Sequence, residues 1–466
     1  MVLPLKDCEI TSQYGIIRSD GKLHTGIDLI STSGDKNIKA IRGGIVRVTP
    51  YDEKGYGNYI SIQQEDGFRA LYCHLEKVLV KPGDIISEGQ VIGIEGSTGK
   101  STGPHLHLEL RKDPYNPEDH INVAEYLFIN NEEGKVKRSI LNYEEFKYLG
   151  ILDFWRQGYK GQGITIASHE KIIENVFDDV FCLNYGEADS KYTRHGTLVM
   201  DYIRQVAPEA TKLSICSDDK IKSGKIESEA LDYLIKHTPD ILTTSNHGGF
   251  INREICIPYY KEIYDKGCFL VCSAGNKQEE INKLASGDLW KAIGACDFKD
   301  GNPVRKKTYV AGEEMDFMSL HDLKAVWNAT DNEGTSFSTP LFAAMLVLVQ
   351  CYFLINIGRK LNHNELMNFI KDNCLDLEDK GKDDNTGYGL FILPKPWEID
   401  INKYLVEEEE KMSRYNTLEE VPEWGKATIE KLINLEVLKG DENGNLNLSF
   451  DLLRTLVIHD RLGLYD

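Results

Sequence analysis

The sequence has few of the features that mark secreted or membrane-spanning proteins. Its ten cysteines form no CxxC pair, and a chain of 466 residues does not need a disulfide framework. The N-terminal segment MVLPLKDCEITSQYG lacks the basic and apolar segments of a secretory signal. The longest apolar run, from Phe342 to Ile355, contains Gln350 and is short for a membrane span. We therefore expect synthesis in a reducing cytoplasm with free thiols, no signal peptide and no transmembrane segment.

Basic charge is also scarce. The chain has 54 Lys and Arg against 74 Asp and Glu, which gives a net charge of −20 at pH 7. Such an acidic balance disfavours nucleic acid or an anionic membrane as the main partner. The chain is also longer than one hydrophobic core normally supports, so we predict several domains.

The apolar pattern changes along the chain. Residues 1–125 alternate short β-like runs with glycine turns, which predicts an antiparallel β domain. Residues 126–150 are polar and predict a connector with a short helix. From 151 to 400, short apolar strands alternate with helical stretches, which predicts a parallel sheet covered by helices on both faces.

The histidines are concentrated near the N-terminus. Four of the twelve lie in the first 110 residues, at His24, His74, His105 and His107, and Asp28 follows His24 closely. Imidazoles and a carboxylate suit Zn²⁺. His105 and His107 are two residues apart, so on a strand they share one face. A hydrolytic zinc keeps one position open, so three donors would bind it while the other imidazoles orient water and stabilise an oxyanion.

The motifs around these residues resemble a known family. ITSQYGIIR, HTGID, GYGNYISI, LYCHL and GSTGKSTGPHLHLELR occur in the order found in lysostaphin-type zinc endopeptidases, which cut peptidoglycan cross-bridges. The resemblance covers most of residues 10–111. It implies His24, Asp28 and His107 as zinc ligands, with His74 and His105 as catalytic imidazoles. The alternative is a β scaffold that has lost its metal and serves as a binding module.

The middle of the chain carries a second set of hydrolytic residue types. Ser336 precedes a predicted helix whose first turn would hold Pro340, and a helix N-terminus favours negative charge near the serine. His195 lies beside Gly196, and Asn276 follows a predicted strand, where its amide can donate to an oxyanion. Nucleophilic catalysis needs one more group, which orients the histidine.

These fragments resemble the subtilisin-like serine proteases across about residues 150–395. The resemblance implies a Glu170–His195–Ser336 triad with Asn276 at the oxyanion. Glu170 stands where the family has aspartate, and its extra methylene requires a shift of the backbone. Two interpretations stay open, an active serine protease and a degenerate subtilisin fold with a structural or regulatory role.

The C-terminal residues predict a small helical module at 413–466. Its first helix is expected at about 423–435, followed by the turn GDENGN and a second helix. The segment is similar to C-terminal modules of phage lysins and S-layer-like proteins, which implies wall binding or oligomerisation. A helical bundle that packs on the protease domain is the alternative. The predicted fold class is therefore multidomain, with an antiparallel β metallopeptidase domain, an α/β subtilisin-like domain and this module.

The combined prediction is a bacterial cell-wall hydrolase. The first domain would use Zn²⁺ to cleave peptide cross-links of peptidoglycan, and the serine protease domain would process the chain or a partner polypeptide. The expected setting is a phage or prophage lysin, made in the cytoplasm and acting at the wall after release or as part of a phage particle. Two alternatives remain: an intracellular regulatory serine protease whose zinc domain recognises the substrate, and a non-catalytic wall-binding or phage structural protein.

Overall fold

The chain divides into two compact units, Met1–Ile399 and Asp400–Asp466. The computed structural model describes residues 2–185, 190–216, 220–222, 225–245, 256–276, 283–305, 311–327, 334–405, 415–421, 423–435, 437–441, 445–448, 452–453, 456 and 460.

The N-terminal part of the first unit is a β structure. Its strands are β1 (Cys8–Ser12), β2 (Gly26–Ser31), β3 (Asn37–Lys39), β4 (Gly44–Val48), β5 (Tyr51–Asp52), β6 (Gly57–Gln64), β7 (Phe68–Leu75), β8 (Lys77–Val78), β9 (Ile85–Ile86), β10 (Val91–Ile94), β11 (Leu106–Lys112), β12 (His120–Ile121) and β13 (Gly134–Lys135). The main sheet has the order β13-β1-β2-β11-β7-β6-β4-β9, with antiparallel neighbours, and β3-β10-β8 form a small second sheet. The antiparallel β prediction is confirmed.

Period-two alternation gives the two faces of the main sheet different chemistry. On β11, Leu106, Leu108 and Leu110 are buried in the core with Ile27 and Leu29 of β2. Residues between them point to the other face, because successive side chains of a strand alternate. Polar side chains of β2 and β11 therefore meet on the face opposite the leucine core.

Short helices follow this sheet. They are α1 (Val123–Leu127), α2 (Tyr143–Tyr148) and α3 (Ile151–Arg156). Asn122 caps α1 by accepting from the amides of Ala124 and Glu125. Within the polar segment expected to be a connector, β13 pairs with β1, so this stretch adds an edge strand to the first sheet.

The second part of the first unit is an α/β structure. Its strands are β14 (Thr165–Ser168), β15 (Val180–Leu183), β16 (Thr211–Ile215), β17 (Lys220–Lys222), β18 (Lys225–Glu227), β19 (Ile241–Thr244), β20 (Phe269–Ser273), β21 (Trp290–Lys299), β22 (Asn302–Arg305), β23 (Met315–Leu320), β24 (Cys374–Leu375) and β25 (Leu390–Phe391). The helices are α4 (Lys191–Val206), α5 (Glu229–Lys236), α6 (Ile257–Asp265), α7 (Thr335–Ile357) and α8 (His363–Asp372).

The large sheet of this part has the order β15-β16-β14-β19-β20-β21-β23-β25-β24. Neighbours from β15 to β25 run parallel, and β24 is antiparallel to β25. Every residue of β19 and β20 is buried, which requires cover on both faces. The predicted parallel sheet is therefore present.

Helix α7 is the core helix of this sheet. It packs on β14, β19, β20, β21 and β23, and its residues from Thr335 to Phe353 are buried. Among the described residues it is the one helix long and apolar enough to cross a membrane, but 78% of its apolar window is buried. The apolar run that begins at Phe342 therefore belongs to a buried core helix of the α/β part.

The expected position of Pro340 is wrong. Helix α7 begins at Thr335, so Pro340 lies in its second turn and not its first. A proline in the helix interior has no N–H for the carbonyl four residues earlier, which here belongs to Ser336. That carbonyl instead accepts a hydrogen bond of 2.8 Å from the Ser245 hydroxyl. This hydrogen bond links the start of α7 to the residue that follows β19.

A buried cluster of charges joins the β part to helix α3, which packs on α7 of the α/β part. Arg42, which is 4% exposed, lies 3.0 Å from Asp66 and 2.6 Å from Asp153 of α3. Arg156 contacts Asp153 at 2.7 Å and donates to the Tyr126 carbonyl at 3.0 Å. Burial of these charges is tolerated because each carboxylate has a cationic partner.

The second unit contains α9 (Ile401–Tyr404) and α10 (Glu423–Asn434). Its small apolar core consists of Val421, Ile429, Leu432, Leu448 and Leu453. Helix α10 confirms the helix predicted at about 423–435. The second predicted helix falls almost entirely outside the described residues.

Candidate functional site

Three predicted ligands converge on one face of the main β sheet. His107 Nδ1 lies 2.7 Å from Asp28 Oδ1, and His24 Nε2 lies 3.1 Å from both of these atoms. All three side chains are buried. In the part of the chain that the structure describes, this is the only group of three or more His, Cys, Asp or Glu side chains close enough to hold one metal ion.

Strand register brings these ligands together. His107 of β11 is paired directly with Asp28 of β2, and Glu109 is paired with Gly26. A Cβ added at Gly26 would lie 2.4 Å from the Leu108 carbonyl oxygen and 2.9 Å from the His107 ring. Glycine is therefore needed between His24 and Asp28 so that the two strands can approach.

The remaining polar atoms of the ligands are held by hydrogen bonds. His24 Nδ1 contacts the Gln13 carbonyl oxygen at 2.6 Å, which leaves Nε2 for the metal. His107 Nε2 contacts Glu109 at 3.0 Å, which leaves Nδ1 for the metal. Arg18 donates to Asp28 Oδ2 at 2.8 Å and leaves Oδ1 directed at the imidazoles.

The electrostatics of Asp28 suit a metal ligand. Burial alone would raise the pKa of its carboxyl group, but the contacts of the carboxylate with the His107 and His24 rings outweigh burial and hold that pKa well below its usual range. Two imidazole nitrogens and one carboxylate oxygen are a donor set typical of catalytic zinc, with a fourth position left for water or substrate. The residues present therefore fit the metal.

The two predicted catalytic imidazoles lie beside this centre. The rings of His74 and His105 are 4.8 Å apart, and His105 Nε2 is 3.8 Å from Asp28 Oδ1. His74 Nδ1 contacts the Thr98 carbonyl oxygen and His105 Nδ1 the Gly103 carbonyl oxygen, both at 2.8 Å. A carbonyl can only accept, so each Nδ1 carries the proton and each Nε2 is an acceptor. Burial lowers the pKa of His74 to about 4, which keeps this ring neutral near pH 7.

One loop, residues 98–103, orients both imidazoles through those carbonyls. It packs closely on the turn that carries Gly57: a Cβ added at Gly99, whose φ is 72°, would lie 2.3 Å from the Gly57 amide nitrogen. Lys100 of the same loop also reaches Asp20 at 3.1 Å. The orientation of His74 and His105 therefore depends on close backbone packing.

The second candidate site lies on the α/β part. Glu170 follows β14 and is buried, and its Oε2 lies 3.2 Å from Nδ1 of His195 on α4. Its Oε1 accepts from the Ser245 amide at 3.0 Å. A Cβ added at Gly196 would lie 2.2 Å from the Lys171 carbonyl oxygen, so glycine allows α4 to approach this loop. Burial alone would lower the pKa of His195, but its hydrogen bond to Glu170 raises it.

The serine and the amide donor lie at the start of α7 and the end of β20. Asn276 Oδ1 accepts from the Thr335 amide at 2.8 Å and from its hydroxyl at 2.9 Å, so the Asn276 NH₂ group is left as a donor. Ser336 is adjacent to Thr335, and its hydroxyl donates to the Ser245 carbonyl at 3.3 Å. Within the described residues no hydrogen bond joins Ser336 to His195, although the neighbouring Phe337 ring lies 5.6 Å from the His195 ring.

Some site residues were missed by the sequence reading. Glu109 lies two residues after His107 on the same strand, so the period-two rule that placed His107 also places Glu109 on that face. Thr335 stands next to Ser336 in the GTSFSTP motif, so the motif that indicated Ser336 could also have indicated Thr335. Arg18 ends the ITSQYGIIR motif, 10 residues before the Asp28 that it contacts, and nothing in that motif indicates the contact.

Comparison with known proteins identifies the N-terminal site. Peptidase family M23 matches residues 22–120, which include all five residues of the metal site. The DD-carboxypeptidase/endopeptidase Mpg of Neisseria meningitidis serogroup B is 38% identical over 120 residues, 24% of this chain and 27% of that protein. Lysostaphin of Staphylococcus staphylolyticus is 42% identical over 91 residues, 19% of each chain. The peptidoglycan DD-endopeptidase ShyA of Vibrio cholerae is 42% identical over 97 residues, 19% of this chain and 20% of that protein.

These matches define the N-terminal part first as a metallopeptidase domain with zinc as its cofactor. More specifically, residues 22–120 match peptidase family M23, and this part of the chain is similar to lysostaphin. The chain spans about a quarter or less of the length of these curated relatives. The family match ends at residue 120, and Glu170, His195, Asn276 and Ser336 lie outside it.

Proposed function

We propose that this protein is a zinc-dependent endopeptidase that hydrolyses peptide cross-links of bacterial peptidoglycan. The observation that carries the proposal is the convergence of His24, Asp28 and His107 beside two imidazoles whose Nε2 atoms are acceptors. The substrate class is supported by the relatives, one of which is named a peptidoglycan DD-endopeptidase.

The metal would be held by His24 Nε2, Asp28 Oδ1 and His107 Nδ1. When bound, zinc supplies Lewis acidity, which lowers the pKa of a water molecule and polarises the scissile carbonyl. His74 and His105 then provide proton transfer. Each Nε2 can accept a proton from the attacking water, and once protonated it can donate to the oxyanion or to the leaving amine. The Thr98 and Gly103 carbonyls hold both rings in the tautomer that this requires.

For the second part we propose a subtilisin-like serine protease that processes the chain itself or a partner polypeptide. The proposal is supported by the parallel sheet, the Glu170–His195 contact and the exposed Asn276 amide. Ser336 Oγ would attack, His195 would take its proton, Glu170 would hold the imidazole, and Asn276 would donate to the oxyanion. The hydrogen bond from Ser336 to the Ser245 carbonyl favours a second candidate, a degenerate protease fold with a structural or regulatory role.

We further propose the setting of a phage or prophage lysin. In this proposal the protein is made in the cytoplasm and acts at the cell wall after release or as part of a phage particle. The C-terminal unit would bind the wall or mediate oligomerisation, and its small separate core supports an independent module.

Digestion of defined peptidoglycan fragments tests the main proposal. Wild type, His107→Ala and Ser336→Ala are incubated with the fragments, and products are read by mass spectrometry. We expect peptide-bond cleavage by wild type and Ser336→Ala, and none by His107→Ala. Cleavage lost in Ser336→Ala but kept in His107→Ala would assign hydrolysis to the serine site and reject the zinc mechanism.

A further inference from the structure

A buried carboxylate lies next to the metal centre but outside the group of three ligands. Glu109 lies two residues after His107 on β11 and is 1% exposed. Its oxygens accept from His107 Nε2 at 3.0 Å, from Arg111 at 2.5 Å, from the Thr25 hydroxyl at 2.5 Å and from the Tyr56 hydroxyl at 3.1 Å. The two oxygens of Glu109 are therefore fully engaged by donors from β11, from the turn before β2 and from the loop before β6.

The contact between Glu109 and His107 decides which nitrogen of His107 is available. A neutral imidazole carries one proton, and the nitrogen that carries it cannot bind a metal. Both nitrogens face a carboxylate, Nδ1 that of Asp28 at 2.7 Å and Nε2 that of Glu109 at 3.0 Å. A nitrogen that binds a metal carries no proton, so with Nδ1 as the ligand atom the proton of the neutral ring lies on Nε2, where Glu109 accepts it. The lone pair of Nδ1 then faces His24 and Asp28.

The two histidine ligands differ in how they are oriented. The Nδ1 atom of His24 is held by a backbone carbonyl, that of Gln13, which no side-chain substitution removes. His107 depends on a side chain that is itself held by Thr25, Tyr56 and Arg111. Thr25 lies directly after His24, so it connects the two ligand-bearing segments through Glu109.

We propose that Glu109 is a positioning residue of the zinc centre, which holds His107 in the Nε2-protonated tautomer and thereby sets the affinity for zinc. Groups that hydrogen-bond to metal-bound histidines typically change metal affinity by about 10-fold to 100-fold when removed. The inference rests on zinc binding by the M23 domain and does not depend on which peptide the enzyme cleaves.

Zinc affinity of the full chain, measured by competition with a chromophoric chelator, tests the proposal. We expect Glu109→Met to bind zinc about 10-fold to 100-fold more weakly. The double variant E109M/R111M removes the buried charge pair together and keeps the test valid if E109M alone does not fold. Glu109→Gln retains an oxygen acceptor, so it should lose less affinity. Glu95→Gln changes another buried carboxylate of the same part of the chain and should retain wild-type affinity.

A spectroscopic readout separates positioning from a purely structural role. In ¹⁵N NMR of the zinc-loaded wild type we expect His107 to be protonated at Nε2 and bound through Nδ1, with loss of that pattern in the methionine variants. A folded methionine variant with zinc affinity within about twofold of wild type, or with an unchanged His107 pattern, would overturn the proposal. Neither measurement uses peptidoglycan, so a wild type that binds zinc but cleaves no cell wall would reject the proposed function and leave this inference standing.

Discussion

The zinc centre and the candidate serine site are built in different ways. The zinc centre uses two neighbouring strands of one antiparallel sheet and the segment just before β2, and strand register pairs His107 with Asp28. The serine site draws its residues from four separate elements: the loop after β14, helix α4, the end of β20 and the start of α7. Each ligand and each catalytic imidazole of the zinc site has a further hydrogen-bond partner. Among the described residues, the serine site has the Glu170–His195 hydrogen bond but none between His195 and Ser336.

The difference shows how the scaffold determines whether the side chains of a site are brought into contact with one another. Adjacent strands fix the separation of paired side chains such as His107 and Asp28 through the backbone hydrogen bonds of the sheet. Residues at the ends of different elements depend on loops, and each must be held by its own contacts. Ser245 provides several of these, through its amide to Glu170, its hydroxyl to the Ser336 carbonyl and its own carbonyl to the Ser336 hydroxyl.

The largest expected effect is loss of a metal ligand. Asp28→Asn should remove the anionic oxygen shared by both ligand imidazoles and reduce cell-wall hydrolysis to the level of a buffer blank. Released peptides and zinc content of the purified protein are the measurements. Ser336→Ala is the matched control, because it should retain both zinc and wall hydrolysis. Wild-type zinc content and activity in Asp28→Asn would contradict the ligand assignment.

The second prediction tests whether Glu170 acts in a triad at the candidate serine site. On a peptide that wild type cleaves and Ser336→Ala does not, Glu170→Gln should lower turnover on the order of 10⁴-fold, by analogy with loss of the triad carboxylate in serine proteases. Glu174→Gln, an exposed glutamate nearby, is the control. Equal turnover in Glu170→Gln and wild type would reject the triad.

The same variant should shift the pH profile. His195 acts as a base only when neutral, so activity should rise as pH increases through its pKa. Glu170 raises that pKa in the folded protein, so the wild-type midpoint should lie above the ordinary histidine value of about 6.5. Loss of the carboxylate in Glu170→Gln should move the midpoint to lower pH.

The third prediction tests whether the two sites share one folding unit. Arg42→Ala leaves Asp66 without a cationic partner and Asp153 with Arg156 alone, which should reduce the free energy of unfolding by about 3–5 kcal/mol. Urea unfolding followed by circular dichroism measures the change. Arg47→Ala, an exposed arginine on β4, should change stability by less than about 0.5 kcal/mol. A small effect of Arg42→Ala would show that the β and α/β parts are energetically independent.

The smallest expected effect is at Gly99. Gly99→Ala places a Cβ against Gly57 at a positive φ, which should cost about 1–3 kcal/mol of stability and displace the Thr98 carbonyl that orients His74. Thermal unfolding and peptide release are the measurements, and zinc content should stay at the wild-type level. Gly83→Ala, also at positive φ but with nothing within 4 Å of the added Cβ, isolates backbone strain from steric conflict. Equal activity losses in the two variants would argue against loop control of His74.

Much of the metal site was predictable from local patterns. Residue chemistry in HTGID and GPHLHLEL indicated the ligands, and period two predicted one shared face for His105 and His107. The same rule, which was not extended to Glu109, puts Glu109 on the face of His107 while the leucines between them form the core. Alternation of short apolar strands with helical stretches likewise predicted the parallel sheet. These inferences hold because side-chain direction along a strand depends only on neighbouring residues.

Other features required distant segments to meet. The Gln13, Thr98 and Gly103 carbonyls that set three histidine tautomers are backbone atoms, which every residue carries, so no residue type marks them. The contact between Glu170 and His195 depends on Gly196, which lets α4 approach the loop after β14. The Arg42 cluster forms only when α3 packs against the β part. The sequence specified which chemical groups are present and which face of a strand carries them. Tertiary packing specified which lone pair each group presents, because that depends on a partner far away in the chain.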